Sequence, residues 1–399
     1  MTGARAGPPD PLRVGPLALL GVACFTAVLT ETLPIGMLPL MAAGFGVSES
    51  RIGLLVSVYA AAVVVASIPL NAWTSRWPRR PLLLALLAVY ALSNLVLVLS
   101  GSYAVAAGAR VLGGLAHALF FAVLFGYASA LAPRERIGTA LAIAGSGSSV
   151  AVAIGTPLGA ALGTAIGWRG TFAVVTGLIV VIAVLVRRWL PALPGSVLSG
   201  GDQLRQVLSR PAFLGLELAV VLIMVGAFAG YTYLTPIMIA YGFTLTTVPL
   251  ALLGYGVAIL AGLTVFSRFA NRRLRPALVV ALLGHSAVLF ALAVLPRTLP
   301  VAVVLLLLWG LSFGAVPVFV QTGVIRAGGF PETASAIHNA VFNVGIGGGA
   351  LLGALVLTSA SAPAIGFWAA PVEVLAVPLC AWFLGSRWLT APRGAETAR

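Results

Sequence analysis

The chain has no lysine: all 23 of its basic side chains are arginine. Acidic residues number nine, histidines three and cysteines two, and charged residues fill only 8% of the 399 positions. A water-soluble domain is about a quarter charged, so this composition excludes one. Disorder, which needs low hydrophobicity and high charge, is excluded as well. Without lysine there is no GxxxxGK[ST] phosphate loop, so an ion gradient or the substrate's own gradient has to supply any driving force. HExxH, an Asp/His metal cluster and a GxSxG elbow in a suitable setting are also missing, which argues against a membrane-embedded enzyme. Cys24 and Cys380 lie inside apolar runs with no CxxC or zinc spacing and read as small core residues. No cofactor and no metal is expected.

What the chain has in abundance is apolar length. The hydrophobic set makes up 60% of it, with a mean hydropathy of +1.10. A segment in lipid must satisfy its own backbone hydrogen bonds, which makes it a helix of about 20 residues per crossing. Apolar runs near 15–40, 50–72, 81–100, 103–130, 138–163, 167–189, 212–238, 246–267, 276–295, 299–325, 333–358 and 363–386 read as twelve transmembrane helices, numbered one to twelve. The fold class is therefore an all-α membrane protein. The first run is expected to be a retained helix, because no cleavage pattern comes after Arg5 and Arg13.

A net charge of +14 would suit nucleic acid, but the arginines sit in short loops between apolar runs. With the N-terminus inside, nineteen fall in cytoplasmic segments, three (Arg51, Arg169, Arg297) in outer loops and one, Arg110, within helix four. The positive-inside rule explains this asymmetry. It places both termini in the cytoplasm of a multi-pass cell-membrane protein, partnered by the lipid bilayer and not by nucleic acid. The longest polar stretch is Pro191–Pro211. Arg76-Trp-Pro-Arg-Arg-Pro comes after helix two, and Asn271-Arg-Arg-Leu-Arg-Pro after helix eight, about 195 residues later. The expectation is a six-helix half over 1–190, a cytoplasmic linker over 191–211 and a second half over 212–399. Six helices per half make the repeats parallel, with a substrate site near the midplane between them. One chain then holds a full site, so a monomer is the default.

Four stretches carry a family likeness. Asn71-Ala-Trp-Thr-Ser75-Arg76-Trp-Pro78-Arg79-Arg80 lies after helix two, and Arg110-Val-Leu-Gly113-Gly114 lies in helix four. Gly145 through Gly155-Thr-Pro157-Leu-Gly159 lies in helix five, and Thr30-Glu31-Thr-Leu-Pro34-Ile-Gly36 in helix one. With Gly167-Trp-Arg169-Gly-Thr-Phe172, Tyr231-Thr-Tyr233-Leu-x-Pro236 and Asn339-x-x-Phe342-Asn343, they resemble the major facilitator superfamily. Within it they are similar to the twelve-helix drug:proton antiporters and their sugar-efflux and chloramphenicol-efflux relatives. The resemblance covers nearly the whole chain and implies two six-helix halves rocking about a central cavity.

The resemblance makes Ser75, Arg76, Arg79, Arg80, Asn271 and Arg272 a cytoplasmic gating loop and its second-half copy. The family's Gly, Asp and second Gly are replaced here by Asn71, Ser75 and Pro78, which implies a weaker latch. It makes Gly155, Pro157 and Gly159 the helix-five antiporter motif, with the family's spacing shortened, and links Arg110 to proton coupling. The competing reading of Arg110 is an arginine snorkelling to the outer end.

In the family, helices one, four, seven and ten line the cavity. Glu31 on helix one is then the leading proton carrier, since a low-dielectric cavity disfavours its charged form. The alternative is a carboxylate that caps structure at the interface. Arg110 and His117 share one face of helix four; Arg110 is expected to hold Glu31 ionised, and His117 either titrates or is a hydrogen-bonded core histidine. Tyr231, Tyr233, Gln321, Asn339 and Asn343 are the expected substrate contacts. Glu217 reads as interfacial and His338 as structural, and Glu373 is expected to pack inward or stay protonated. The expected function is secondary active export of a small organic compound in exchange for protons. The alternatives are a proton-independent facilitator or a nutrient symporter of the same fold; a receptor is disfavoured because both tails are only about 15 residues.

Overall fold

The computed structural model describes residues 13–195, 201–268 and 273–385. All secondary structure among them is helical. Eleven continuous helical stretches are long and apolar enough to cross a membrane. The longest, Ile137–Trp189, spans 53 residues and is broken at Gly167, whose φ of 77° and ψ of 158° are not helical. Only glycine adopts that backbone without strain. Helix five ends there and helix six occupies 168–189, so the twelve expected crossings are present.

Helix one is Val14–Gly36, continued after a break at Met37 by Leu38–Phe45. Helix two is Glu49–Thr74, helix three Arg79–Leu99 and helix four Tyr103–Ala130. Helix seven is Pro211–Thr232 and, past a break at Tyr233, Leu234–Ala240. Helices eight and nine are Val248–Ser267 and Leu274–Val294. Helix ten is Leu299–Phe313 with Val316–Gly328, helix eleven Pro331–Leu357, and helix twelve Ile365–Val374 with Ala376–Phe383. The breaks fall beside prolines, Pro34, Pro236, Pro317 and Pro371 among them. A proline lacks the N–H of the helical ladder and clashes with the preceding turn. In helix five the same cause yields a π turn, Ala151–Gly155, just before Pro157.

The polar stretch between helices six and seven is not all loop. It holds a short helix, Gly201–Leu208. Leu204, Val207 and Leu208 lie at helical spacing, and Val207 is buried.

Two seams join the first six helices to the last six. Helix two packs along helix eleven, and helix five packs on helix eight through its π turn and the segment after it. Ala153 in that turn lies under Gly256 of helix eight, where a Cβ would come within 2.3 Å of the Ala153 carbonyl. Among the described residues, the side-chain hydrogen bonds between the first six helices and the last six lie toward the end opposite the termini. Ser57 Oγ donates to the Gly347 carbonyl (2.8 Å) and Thr235 Oγ1 to the Ile35 carbonyl (2.9 Å). Tyr233 OH reaches the Ser50 carbonyl of helix two (3.5 Å) and rests on Gly53, while donating to the Ala350 carbonyl of helix eleven in its own half (3.0 Å). One continuous apolar cluster joins both groups of helices at that end, while a second, built on Phe213, Leu216, Val220, Phe319 and Cys380, belongs to the last six alone. The bundle is thus sealed at the end away from its termini.

Candidate functional site

The site begins with Pro34. Having no N–H, it leaves the carbonyl of Thr30, four residues earlier, without its helical donor. Arg110 takes that carbonyl: Nη1 donates to Thr30 O at 2.8 Å and Nη2 to Glu31 O at 3.1 Å. The guanidinium carbon lies 4.2 Å from the centre of the Tyr59 ring, a cation–π contact from helix two. Arg110 is 1% exposed, so it does not snorkel. Its contacts with Glu31 are to the main chain and not to the carboxylate. The expected grip of Arg110 on the carboxylate is therefore not a direct ion pair.

The Glu31 carboxylate faces His117 instead, with Oε2 at 3.8 Å from Nε2 and side-chain exposures of 12% and 4%. His117 Nδ1 is 2.9 Å from Tyr59 OH. That hydroxyl decides the tautomer. When it donates, His117 presents N–H to Glu31; when it accepts, His117 presents a lone pair that a protonated Glu31 can meet. The Thr30 hydroxyl accepts from Asn94 Nδ2 (3.1 Å) on helix three. Helices one to four thus converge on Glu31, Arg110 and His117, and the interfacial capping reading of Glu31 is not what is found.

The helix-five motif does packing. A Cβ on Gly155 would meet Phe25 and Leu29, and one on Gly159 would sit 2.1 Å from Leu33. A Cβ on Gly147 would sit 1.9 Å from the Gly21 carbonyl. These glycines let helix five lie directly on helix one, and Thr156 beside Pro157 then reaches Thr32 (Oγ1–Oγ1, 3.0 Å).

The expected substrate contacts divide. Tyr231 stacks on Tyr255, with ring centres 5.6 Å apart and planes at 27°, and lies beside Thr156 within electrostatic reach of Glu31. Gln321 is exposed on helix ten. Asn343 is buried and donates to the Asn339 carbonyl (2.9 Å), while its Oδ1 has no partner. Tyr233 is a correction. It is fully buried between Gly53 and Gly353 and fastens helix seven to helices two and eleven at the sealed end. Two residues after Tyr231 on helix seven, Tyr233 faces the opposite side from it.

The loop after helix two engages the segment after helix six. Arg80 Nη1 donates to the Leu190 carbonyl (3.1 Å), Arg79 N to the Leu193 carbonyl (2.9 Å), and the backbone of Ser75 and Arg76 lies against Gly195. Ser75 Oγ caps its own helix end at the Ala72 carbonyl, and Arg76 is exposed. Asn271 and Arg272 lie outside the described residues.

Sequence reasoning missed two pairings. Glu217 is buried against helix eleven, with Oε2 3.4 Å from His338 Nδ1. Glu373 packs inward with zero exposure, both carboxylate oxygens within 2.8 Å of His285 Nδ1. Each of the three histidines therefore faces a glutamate, two of them buried and Glu31 partly so. The signal available was scarcity: three histidines and few intramembrane acids, all inside apolar runs where an unpaired charge is costly.

Comparison with known proteins agrees with this architecture. The model of the Major Facilitator Superfamily matches residues 20–329. A probable sugar efflux transporter of Helicobacter acinonychis is 30% identical over 383 residues, 95% of this chain and 96% of that one. One from Helicobacter pylori is 29% identical over 90% of this chain and 92% of that one. A chloramphenicol efflux pump of Mycobacterium tuberculosis is 34% identical over 85% of each. In fold, the chain matches a bacterial homologue of the human lysosomal transporter Spinster, solved inward-facing and unoccupied. The TM-score is 0.71 and the identity 14%, over 94% of this chain and 95% of that one. The chain belongs to the Major Facilitator Superfamily and is an efflux transporter of that family, not an enzyme.

Proposed function

We propose that the protein exports a small, neutral or weakly cationic organic compound in exchange for protons, by alternating access of two halves, 1–190 and 212–399. Both termini lie in the cytoplasm, so the sealed end faces outward and this conformation is closed on the outer side. The chain works as a monomer in the cell membrane. Glu31 is the proton carrier, and His117 and Arg110 set which of its forms is favoured. The observation that carries the reading is the Glu31–His117 pair, 3.8 Å apart and held beside a buried Arg110 on helices one and four. When Glu31 takes a proton, the Arg110 charge loses its counter-charge. The protonated and unprotonated states then differ in electrostatic energy by enough to bias a conformational equilibrium. Aromatic faces from Tyr231 and Tyr255, with the amides of Asn339, Asn343 and Gln321, suit amphiphiles or polyols. Chloramphenicol and sugars, the compounds in the names of similar proteins, are the first candidates.

The test is purified protein in liposomes containing a pH dye. A proton gradient is imposed and chloramphenicol, sugars, dyes and amino acids are added in turn. One class is expected to trigger proton movement in the native protein. In Glu31→Gln that movement and uphill transport should vanish while substrate exchange continues. Substrate flux with no proton movement in the native protein would make it a facilitator.

A further inference from the structure

The proton carrier lies deep in the bundle. Helices one, seven and eleven start at the end bearing the termini, and helix four finishes there. At about 1.5 Å per residue, Glu31 is roughly 26 Å along helix one and His117 roughly 20 Å from the Ala130 end of helix four. By the same measure Glu217 is roughly 9 Å along helix seven, and His338, Asn339 and Asn343 are roughly 10, 12 and 18 Å along helix eleven. The polar groups therefore form a ladder from the terminal side up to Glu31. Its rungs connect. Glu217 meets His338 at 3.4 Å, and Asn343 donates to Asn339 one turn below it on the ladder. Helix eleven packs on helix two through Ser57 and Gly347. Helix two then carries Tyr59, which bonds His117.

Two oxygens on this ladder are buried acceptors without a donor, Oε1 of Glu217 and Oδ1 of Asn343. A mere pin between helices seven and eleven would not need a titratable pair. Apolar side chains of the same size hold helices at no desolvation cost. Nor do other charges neutralise Glu217. From helix eleven only His338 faces it within ion-pair distance, among the described residues. Helix twelve brings the thiol of buried Cys380 to the same core. Arg326, in the last turn of helix ten, is exposed, and Arg210 at the start of helix seven donates to the Ala327 carbonyl. We propose that Glu217, with His338, is a second exchangeable-proton site, lying on the terminal side of Glu31. The inference rests on the proton-coupled reading above. The step is a transfer of H+ alone, between Glu217 and water on the terminal side, with no change of redox state.

The test uses the full chain in lipid. Infrared difference spectra between acid and neutral pH are recorded on the native protein, Glu217→Gln and His338→Gln. Glutamine still offers an acceptor to His338, so the fold should hold, and size-exclusion profiles check that. A carboxylic-acid band that is missing in Glu217→Gln and shifted in His338→Gln is expected. In liposomes with chloramphenicol as probe, Glu217→Gln should slow substrate-driven proton movement on the order of tenfold or more, as loss of a positioned proton-transfer group does. Substrate exchange should stay near the native rate, and Glu31→Gln is run alongside. An unchanged infrared band overturns the proposal, and so does native proton movement in Glu217→Gln. If the native protein moves no protons, the coupling reading itself fails; the infrared band still decides whether Glu217 binds one.

Discussion

The seat of Tyr233 gives a sharp handle on the conformational cycle. The ring lies between Gly53 of helix two and Gly353 of helix eleven, and an added Cβ would come within 1.9 Å of its hydroxyl at Gly53 and 2.5 Å of its ring at Gly353. Tyr233 has zero exposure, so it cannot swing away from a new methyl at position 53 while the end stays sealed. In an opened end the two surfaces separate and the methyl costs nothing. Gly53→Ala therefore acts against the sealed state alone. Overpacking of this kind costs about 1–3 kcal/mol, a shift of about 5- to 150-fold in the ratio of the two states. Tyr233→Phe is the milder test. The Ala350 bond stays within the second half, and what the sealed state alone loses is the long contact of the hydroxyl to the Ser50 carbonyl of helix two (3.5 Å), a weak hydrogen bond of about 0.5 kcal/mol. The assay is a distance distribution between spin labels on Ala43 and Thr246, both exposed near the sealed end, with Cys24 and Cys380 replaced. A longer-distance population should grow from native to Tyr233→Phe to Gly53→Ala. Identical distributions in all three, with protein that elutes as native, would refute the reasoning.

The same contacts set other outcomes. Arg110→Lys keeps the charge but loses the fork that holds two carbonyls at once; uphill transport should fall on the order of tenfold or more, measured in liposomes, with exchange less affected. Gly147→Ala places a methyl 1.9 Å from the Gly21 carbonyl, which is backbone and cannot yield, whereas Gly126→Ala meets nothing within 4 Å. The first should lower the melting temperature in detergent and the second leave it unchanged. Glu373→Ala strands His285 with no acceptor in a site of zero exposure and should destabilise by about 1–3 kcal/mol. Glu373→Gln keeps an acceptor and should lose much less, by the same thermal measurement.

The membrane crossings were legible because lipid imposes its demand on each segment separately. A run such as 299–325 must be helical whatever its neighbours do. Glu31, Arg110 and His117 were legible for a related reason. A polar group in an apolar run is costly, so its presence marks a site, and seven-residue spacing puts Arg110 and His117 on one face. Gly167 was legible as a motif, though only its φ showed that it ends helix five. Tyr233 was misplaced by setting it beside Tyr231: two residues at about 100° each put the two rings on opposite faces of helix seven, which their spacing already implied.

By itself, the sequence determined that this chain crosses a membrane twelve times, which segments cross, and which few polar groups must find partners there. The tertiary structure decided who those partners are. It sent Arg110 to main-chain carbonyls and not to a carboxylate, paired all three histidines with glutamates, and sealed one end of the bundle with Tyr233, Thr235 and Ser57. Hydropathy is a sum over one segment, and survives any rotation of the helix about its axis. A pairing depends on that rotation, which changes by about 100° per residue, and on how near two helices can come. Glycines at Gly147, Gly159, Gly53 and Gly353 set that nearness, and it exists only once both helices are in place.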